Sequence, residues 1–280
     1  MNYIEYKEEA LKHLVNLVKV KEKSYFNFRN SFVEEPHVPS LRDMTQLDAI
    51  KNYCLIDDIK DLPFTIEKLH EFAHHLDSSQ IMCYNFFRIF QDDLLAITSF
   101  FQSFTNMRIS NITKCAFSYE DHKDLFKGLT GETNFDFYAE NDIDHIYVNT
   151  KYLEGGYSEC QSDGKHNAKY ELYMPKLLNI VKTKTIDKQF FFKYYPLFKA
   201  ASRIENENSH LIFVIPRDRE DLTKTWFDWH DRYIKDSVDI RIVSWEDMCE
   251  LGKKLNKDYM YKFEDRYLQF DKKVEMTGQV

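Results

Sequence analysis

A carboxylate, a second side-chain oxygen and a lysine at the ends of neighbouring strands are what metal-assisted phosphodiester hydrolysis requires. Residues 134–159 offer that set. The strand-like segment Asn134-Phe-Asp-Phe-Tyr carries Asp136, a short polar turn follows, and His145-Ile-Tyr-Val-Asn-Thr-Lys-Tyr carries Asn149 and Lys151. Side chains alternate across a strand, so Asn149 and Lys151 are expected on one face, and an antiparallel hairpin would bring Asp136 beside them. A carboxylate can hold a hard cation such as Mg²⁺, a second oxygen can complete the protein's share, and a lysine can orient water or offset charge on phosphate.

These residues resemble the PD-(D/E)XK, or restriction-endonuclease-like, nuclease superfamily, in which an Asp on one strand is followed by acidic-x-Lys on the next. They are most similar to a bacterial branch with a Ser-Ser-Gln helix start, an Asp strand, a strand reading roughly Glu-Val-Lys-Tyr-Thr-Glu, and a later aromatic-Tyr-x-Leu-aromatic helix. The corresponding residues here are Ser78-Ser79-Gln80 with Asn85, Asp136, Asn149-Thr150-Lys151-Tyr152-Leu153-Glu154, and Phe191-Phe192-Lys193-Tyr194-Tyr195-Pro196-Leu197-Phe198. The match in order and spacing runs from Leu69 to about Pro216.

The resemblance implies an α/β fold with a mixed central sheet flanked by helices, Mg²⁺ or Mn²⁺ as cofactor, and nucleic acid as partner, DNA ahead of RNA. It implies that Asp136 is the principal metal ligand, with Asn149 and the Thr150 carbonyl as further ligands. Lys151 would orient the attacking water, and Glu154 and Gln80 would line the site. Many restriction-type enzymes pair into homodimers, and a role in defence follows from the superfamily alone. One departure stands out: Asn149 occupies the family's catalytic Glu position, and a neutral amide oxygen holds a hard cation less firmly than a carboxylate does. Glu154, reached if the chain curls at Gly155-Gly156, or Glu71 from a helix, are alternative sources of the missing charge. The competing class is a nucleic-acid-binding module that kept the fold and lost turnover.

A net charge of −8 does not mark a nucleic-acid binder, but phosphate contacts depend on local surface. The markedly basic segment is Lys176 to Arg203. It holds Lys182, Lys184, Lys188, Lys193 and Lys199, opposed by Asp187, and reads either as a solvated helix face or as a phosphate-tracking surface.

The elements that must position this chemistry follow from periodicity. Tyr3 to about Lys23 has helical apolar spacing, which the segment Glu34–Ser40 with Pro36 and Pro39 then breaks; it opens an N-terminal helical extension (1–64) packed on a nuclease domain (65–280). Helices are expected over Thr65–Leu76, from Gln80 to about Phe104, over Tyr170–Val181, Phe190–Arg203, Arg219–Ile234 and Trp245–Leu255. Strands are expected over Lys114–Glu120, Asn134–Glu140, His145–Lys151, His210–Ile215 and Val238–Val243. Trp226 and Trp229, three apart, read as core or interface.

A rival motif, His70-Glu71-Phe72-Ala73-His74, fits the H-E-x-x-H pattern of zinc metallopeptidases. No third ligand follows at the expected offset, and a short pattern arises readily by chance in a chain with 10 histidines. Gly-rich phosphate loops, G-x-S-x-G elbows and dinucleotide fingerprints are absent. The five cysteines (Cys54, Cys83, Cys115, Cys160, Cys249) are widely spaced and include no Cys-x-x-Cys pair, which predicts reduced thiols, mostly buried. With no run long enough to cross a bilayer and no basic-leader signal, the expectation is a soluble cytoplasmic protein without a membrane partner.

Overall fold

A computed structural model describes residues 2–20, 32–33, 40–41, 70, 73, 75–105, 109–120, 134–157, 159–160, 164–255 and 257–270. The described elements run α1 (Tyr3–Val20), β1 (Phe32–Val33), β2 (Ser40–Leu41), α2 (Ser79–Gln91), α3 (Leu94–Thr105), β3 (Lys114–Glu120), β4 (Asn134–Glu140), β5 (His145–Thr150), α4 (Gly164–Leu177), α5 (Lys188–Lys193), α6 (Tyr195–Ala201), β6 (Ser209–Ile215), α7 (Glu220–Tyr233), β7 (Ile240–Ser244), α8 (Trp245–Leu255) and α9 (Lys257–Tyr267). β1 and β2 form a separate antiparallel pair.

The other five strands make one mixed sheet in the order β3-β4-β5-β6-β7. β3, β4 and β5 form an antiparallel meander, whereas β5-β6 and β6-β7 are parallel. The parallel pairs need crossovers, supplied by α4–α6 and by α7. Alternating side chains divide into two cores. Phe137, Ala139, Ile146, Val148, Ile212 and Val214 pack against residues of α1, α2, α3, α8 and α9. On the opposite face Tyr138, Tyr147, Leu211, Phe213 and Ile215 pack against residues of α4 to α7. The result is an α/β fold of the restriction-endonuclease-like kind. β6 is buried at every position, Ser209 and His210 included, and its apolar run 211–215 is that of a strand covered on both faces.

Helix faces follow the same logic. α7 buries Leu222, Trp226, Trp229 and Tyr233, one stripe at helical spacing, so both tryptophans are core. Phe87 of α2 stacks on Phe137 of β4, with ring centroids 4.1 Å apart and planes 7° apart. Such pairs add about 0.5–1.5 kcal/mol beyond the area buried, and this one seats α2 on the strand that carries Asp136. From α1, Tyr6, Ala10 and Leu14 enter the same core.

Four expectations need correction. The long helix from Gln80 to about Phe104 is two helices, because the Asp93 carboxylate caps α3 by accepting the Ala96 N–H at 3.0 Å. The helix over Phe190–Arg203 is broken at Tyr194. Pro196 has no N–H for the Phe192 carbonyl, which instead accepts the Cys160 N–H at 3.0 Å. The helix expected over Thr65–Leu76 is not found at its described positions, where His70 is irregular, 73 and 76 lie in turns and His75 in a bridge; residues 65–69, 71, 72 and 74 lie outside the described residues. The helix over Tyr170–Val181 starts earlier, at Gly164, and ends at Leu177. A further helix, α9, was not expected at all. Its Met260, Phe263 and Tyr267 complete the core beside α8. Of the described cysteines, Cys83 and Cys249 are buried and Cys115 and Cys160 half-buried. Among the described residues no helix is long and apolar enough to cross a membrane.

Candidate active site

The site begins with a break in the sheet. Regular alternation would put Phe135 on the face of Phe137, and Tyr119 on the face of Phe117. Both instead join the opposite core, where Tyr119 stacks on Tyr138 at 3.9 Å and Phe135 meets Tyr147 at 4.8 Å. The paired strands switch faces between Phe117↔Phe137 and Tyr119↔Phe135, at Ser118 and Asp136. Ser118 has φ 46°, a left-handed conformation uncommon for a non-glycine residue and costing on the order of 1 kcal/mol or more. Such outliers gather where a chain must re-aim a side chain.

Asp136 is the side chain re-aimed. The β4–β5 ladder ends at Phe137↔Val148, and the next step of the register would set Asp136 opposite Asn149. The Asp136 carboxylate instead accepts the Thr150 N–H at 2.6 Å. Asp136 is half-buried as a residue with its carboxyl shielded from water, and that burial pushes its pKa up. The Thr150 N–H bond and the Lys151 charge pull the other way, and the Glu154 charge adds to the rise. Asp136, Thr150, Lys151 and Glu154 therefore share one electrostatic neighbourhood. Asn149 is half-buried at the end of β5, on the face it shares with Tyr147 by alternation.

Past β5 the chain turns sharply. The Lys151 N–H donates to the Val214 carbonyl at 2.8 Å, and the Lys151 carbonyl accepts Nε1–H of the buried Trp245 at 2.9 Å. Glu154 folds back so that its Oε2 accepts the Tyr152 N–H at 2.6 Å. Asp77, just before α2, is also part of this group: burial first and the Glu154 charge second push its carboxyl up to about 6, against the pull of Lys7.

Gln80 lies nearby in α2. Its amide N–H donates to Ser118 Oγ at 2.7 Å and its oxygen accepts the His70 N–H at 3.0 Å, so it braces the switched residue. Sequence reasoning missed Ser118, Asp77 and Arg219. Arg219 is fully buried, and its guanidinium donates to the Tyr152 and Glu154 carbonyls at 2.8 and 3.0 Å. An isolated Arg ahead of a helix gives no signal of such a role; only the aspartate directly before the Ser-Ser-Gln segment hinted at Asp77.

The basic segment does not converge on one place. The Lys182 N–H donates to the Tyr233 carbonyl at 2.7 Å, and its Nζ pairs with Asp236 at 3.0 Å. That is the far end of α7 from Arg219, about 20 Å away for a 14-residue helix. Lys184 is exposed, Lys188 pairs with Glu171 at 3.0 Å, and Lys199 is half-buried. Lys193 lies over the Tyr194 ring at 5.0 Å. With Glu159, Cys160, Gln189, Phe190 and Phe192 it lines a cleft of about 560 Å³ against the loop that follows the Lys151 turn.

Among the described residues no three His, Cys, Asp or Glu side chains form a metal-binding group. The donor chemistry fits a weakly held hard cation rather than a closed cage. Burial first, and the Glu154 charge besides, raise the proton affinity of both Asp77 and Asp136; nearby positive charge would relieve both, and Mg²⁺ commonly uses one or two carboxylates with waters filling the rest. Of the H-E-x-x-H motif, Glu71 and His74 lie outside the described residues. His70 is exposed and not in a helix, so the zinc reading lacks the helical turn it needs at the described end.

Sheet order, flanking helices and an aspartate strand beside a lysine-bearing strand end define a restriction-endonuclease-like α/β protein. A family model described as "Restriction Endonuclease associating with ARP" matches residues 55–268, and the chain belongs to that family. Comparison with curated proteins and with solved structures gave no match.

Proposed function

We propose that this chain is a divalent-metal-dependent nuclease that hydrolyses phosphodiester bonds of DNA. The observation that carries the reading is the Asp136 carboxylate, aimed by the strand break at the Thr150 N–H and coupled electrostatically to Lys151 and Glu154, in a member of a restriction-endonuclease family. Asp136 would hold Mg²⁺ or Mn²⁺, with the Asn149 amide oxygen and the Thr150 carbonyl as weaker ligands and Glu154 as an additional negative charge felt at Asp136. A bound divalent ion would polarise the scissile phosphate and lower the pKa of a coordinated water. Lys151 would hold the attacking water and offset charge on the phosphate oxygens as the transition state forms. Gln80 would act from the rim, and Lys188, Lys193 and Lys199 would supply phosphate contacts.

The test is incubation with plasmid, single-stranded DNA and RNA, with Mg²⁺, with Mn²⁺ and with chelator, for the natural chain and for Asp136→Asn. Metal-dependent cleavage lost in Asp136→Asn supports the assignment, and cleavage equal in both sinks it. Asn149 in the acidic position favours a second reading, a nuclease fold retained for nucleic-acid binding without turnover. Binding with no cleavage of any of the three substrates would select it.

A further inference from the structure

We infer that Arg219, together with Tyr3 of α1, is a positioning residue of the active site: the two side chains clamp the Tyr152–Glu154 turn and thereby set Lys151 and Glu154 beside Asp136. The inference rests on the nuclease reading of that site.

Four consecutive carbonyls, 151 to 154, are each held by a side chain from elsewhere in the chain. Trp245 Nε1–H donates to Lys151 O at 2.9 Å, Arg219 Nη1 to Tyr152 O at 2.8 Å, the Tyr3 hydroxyl to Leu153 O at 3.0 Å, and Arg219 Nη2 to Glu154 O at 3.0 Å. The donors come from the start of α8, the residue before α7, and the first turn of α1. Turns commonly satisfy their carbonyls with water or with neighbouring backbone. Here the acceptors are fixed from three distant elements, as a preorganised site requires.

The Arg219 side chain has no solvent exposure, and a buried guanidinium must have its charge and its donors matched. Asp221 does both through a two-pronged contact, Nε to Oδ1 and Nη2 to Oδ2 at 2.8 Å each. That contact fixes the plane of the fork, and two of the three remaining N–H groups meet the two turn carbonyls. The Tyr3 ring lies 4.3 Å from the guanidinium carbon, so one tyrosine covers the cation with its face and reaches Leu153 with its hydroxyl. With its carbonyls held, the turn can bring the Glu154 carboxylate back onto the Tyr152 N–H. Lysine offers a point charge in place of a planar fork and cannot hold both carbonyls and Asp221 at once.

The test compares the natural chain with Arg219→Lys and Tyr3→Phe. The readouts are kcat and KM for Mn²⁺-dependent cleavage of a labelled DNA duplex, together with amide hydrogen exchange. For Arg219→Lys the expected result is a fall in kcat of about tenfold or more with KM changed less than about twofold, since small displacements of reacting groups cost rates steeply. Exchange should quicken over Tyr152–Tyr157 while β5 and β6 keep their protection. Tyr3→Phe removes one hydroxyl and leaves the ring, so it should show the same pattern more weakly; if Arg219→Lys does not fold, Tyr3→Phe decides. Unchanged kcat and unchanged exchange overturn the inference, as does a fall in kcat matched by loss of protection throughout the sheet, which would mark a merely structural residue. Natural protein that cleaves nothing overturns the nuclease reading instead, and exchange at 152–157 then decides the clamp alone.

Discussion

Replacing Asp77 by Asn should stabilise the protein above pH 6 and leave it unchanged near pH 4. Asp77 is partly buried ahead of α2, and burial together with the nearby Glu154 charge lifts its carboxyl from an ordinary 3.8 to about 6. A raised folded-state pKa means that between those two values the native state keeps a proton that the unfolded chain releases. Stability therefore falls as pH rises through that window, and the full penalty is present above 6. A difference of roughly two units corresponds to about 3 kcal/mol. Asn keeps the shape and an acceptor oxygen but carries no charge, so it escapes the penalty; the loss of attraction to Lys7 opposes part of the gain. In a chain of this size about 3 kcal/mol is a rise in Tm of roughly 5 °C or more. Thermal unfolding of both proteins in chelator at pH 4, 6 and 8 measures it. Equal separation at pH 4 and pH 8, or a less stable Asn variant at pH 8, would refute the reasoning that a shielded carboxylate pair is being held together.

Other expectations concern the site and its surroundings. Lys151→Ala should abolish cleavage and leave Tm within about 2 °C, since Lys151 is half-buried and its fold contacts are made by its backbone; retained cleavage, followed on labelled DNA, would remove it from the mechanism. Asn149→Glu adds the carboxylate that the family pattern carries, and should tighten Mn²⁺ binding by calorimetry and raise the cleavage rate, with Mn²⁺ preferred over Mg²⁺ in the natural chain. No tightening together with no cleavage in either protein would favour binding without turnover. Replacing Lys188 and Lys193 together by Glu should weaken DNA binding alike for all sequences and flatten its dependence on salt; anisotropy titrations that do not move would leave both lysines as solvated charges beside Glu171 and Tyr194.

Much of the fold was legible along the chain because its cause is local. The apolar segments 134–140 and 145–150, bounded by polar turn residues, and the unbroken apolar run of 211–215 specify strands, and the stripe ending at Tyr233 specifies a helix. The adjacency of Asp136 to the Asn149–Lys151 strand end was also local in origin, since a four-residue connection between antiparallel strands leaves few registers. What tertiary structure decided depends on partners far away in sequence. The face switch at Ser118 needs β4 and the Gln80 amide to hold a left-handed serine, and alternation alone puts Phe135 on the wrong side. The breaks at Asp93 and Pro196 turn on single hydrogen bonds made or missing, to which an apolar stripe is blind. Arg219 reaches Tyr152 across 67 residues and Tyr3 reaches Leu153 across 150, so no window of sequence contains either pair. The amino-acid order determined which segments could carry a carboxylate, an amide and a lysine to one end of a sheet. Their final aim was set by a buried cation and a twisted strand pair, because desolvation and hydrogen bonding act between whatever the fold brings together.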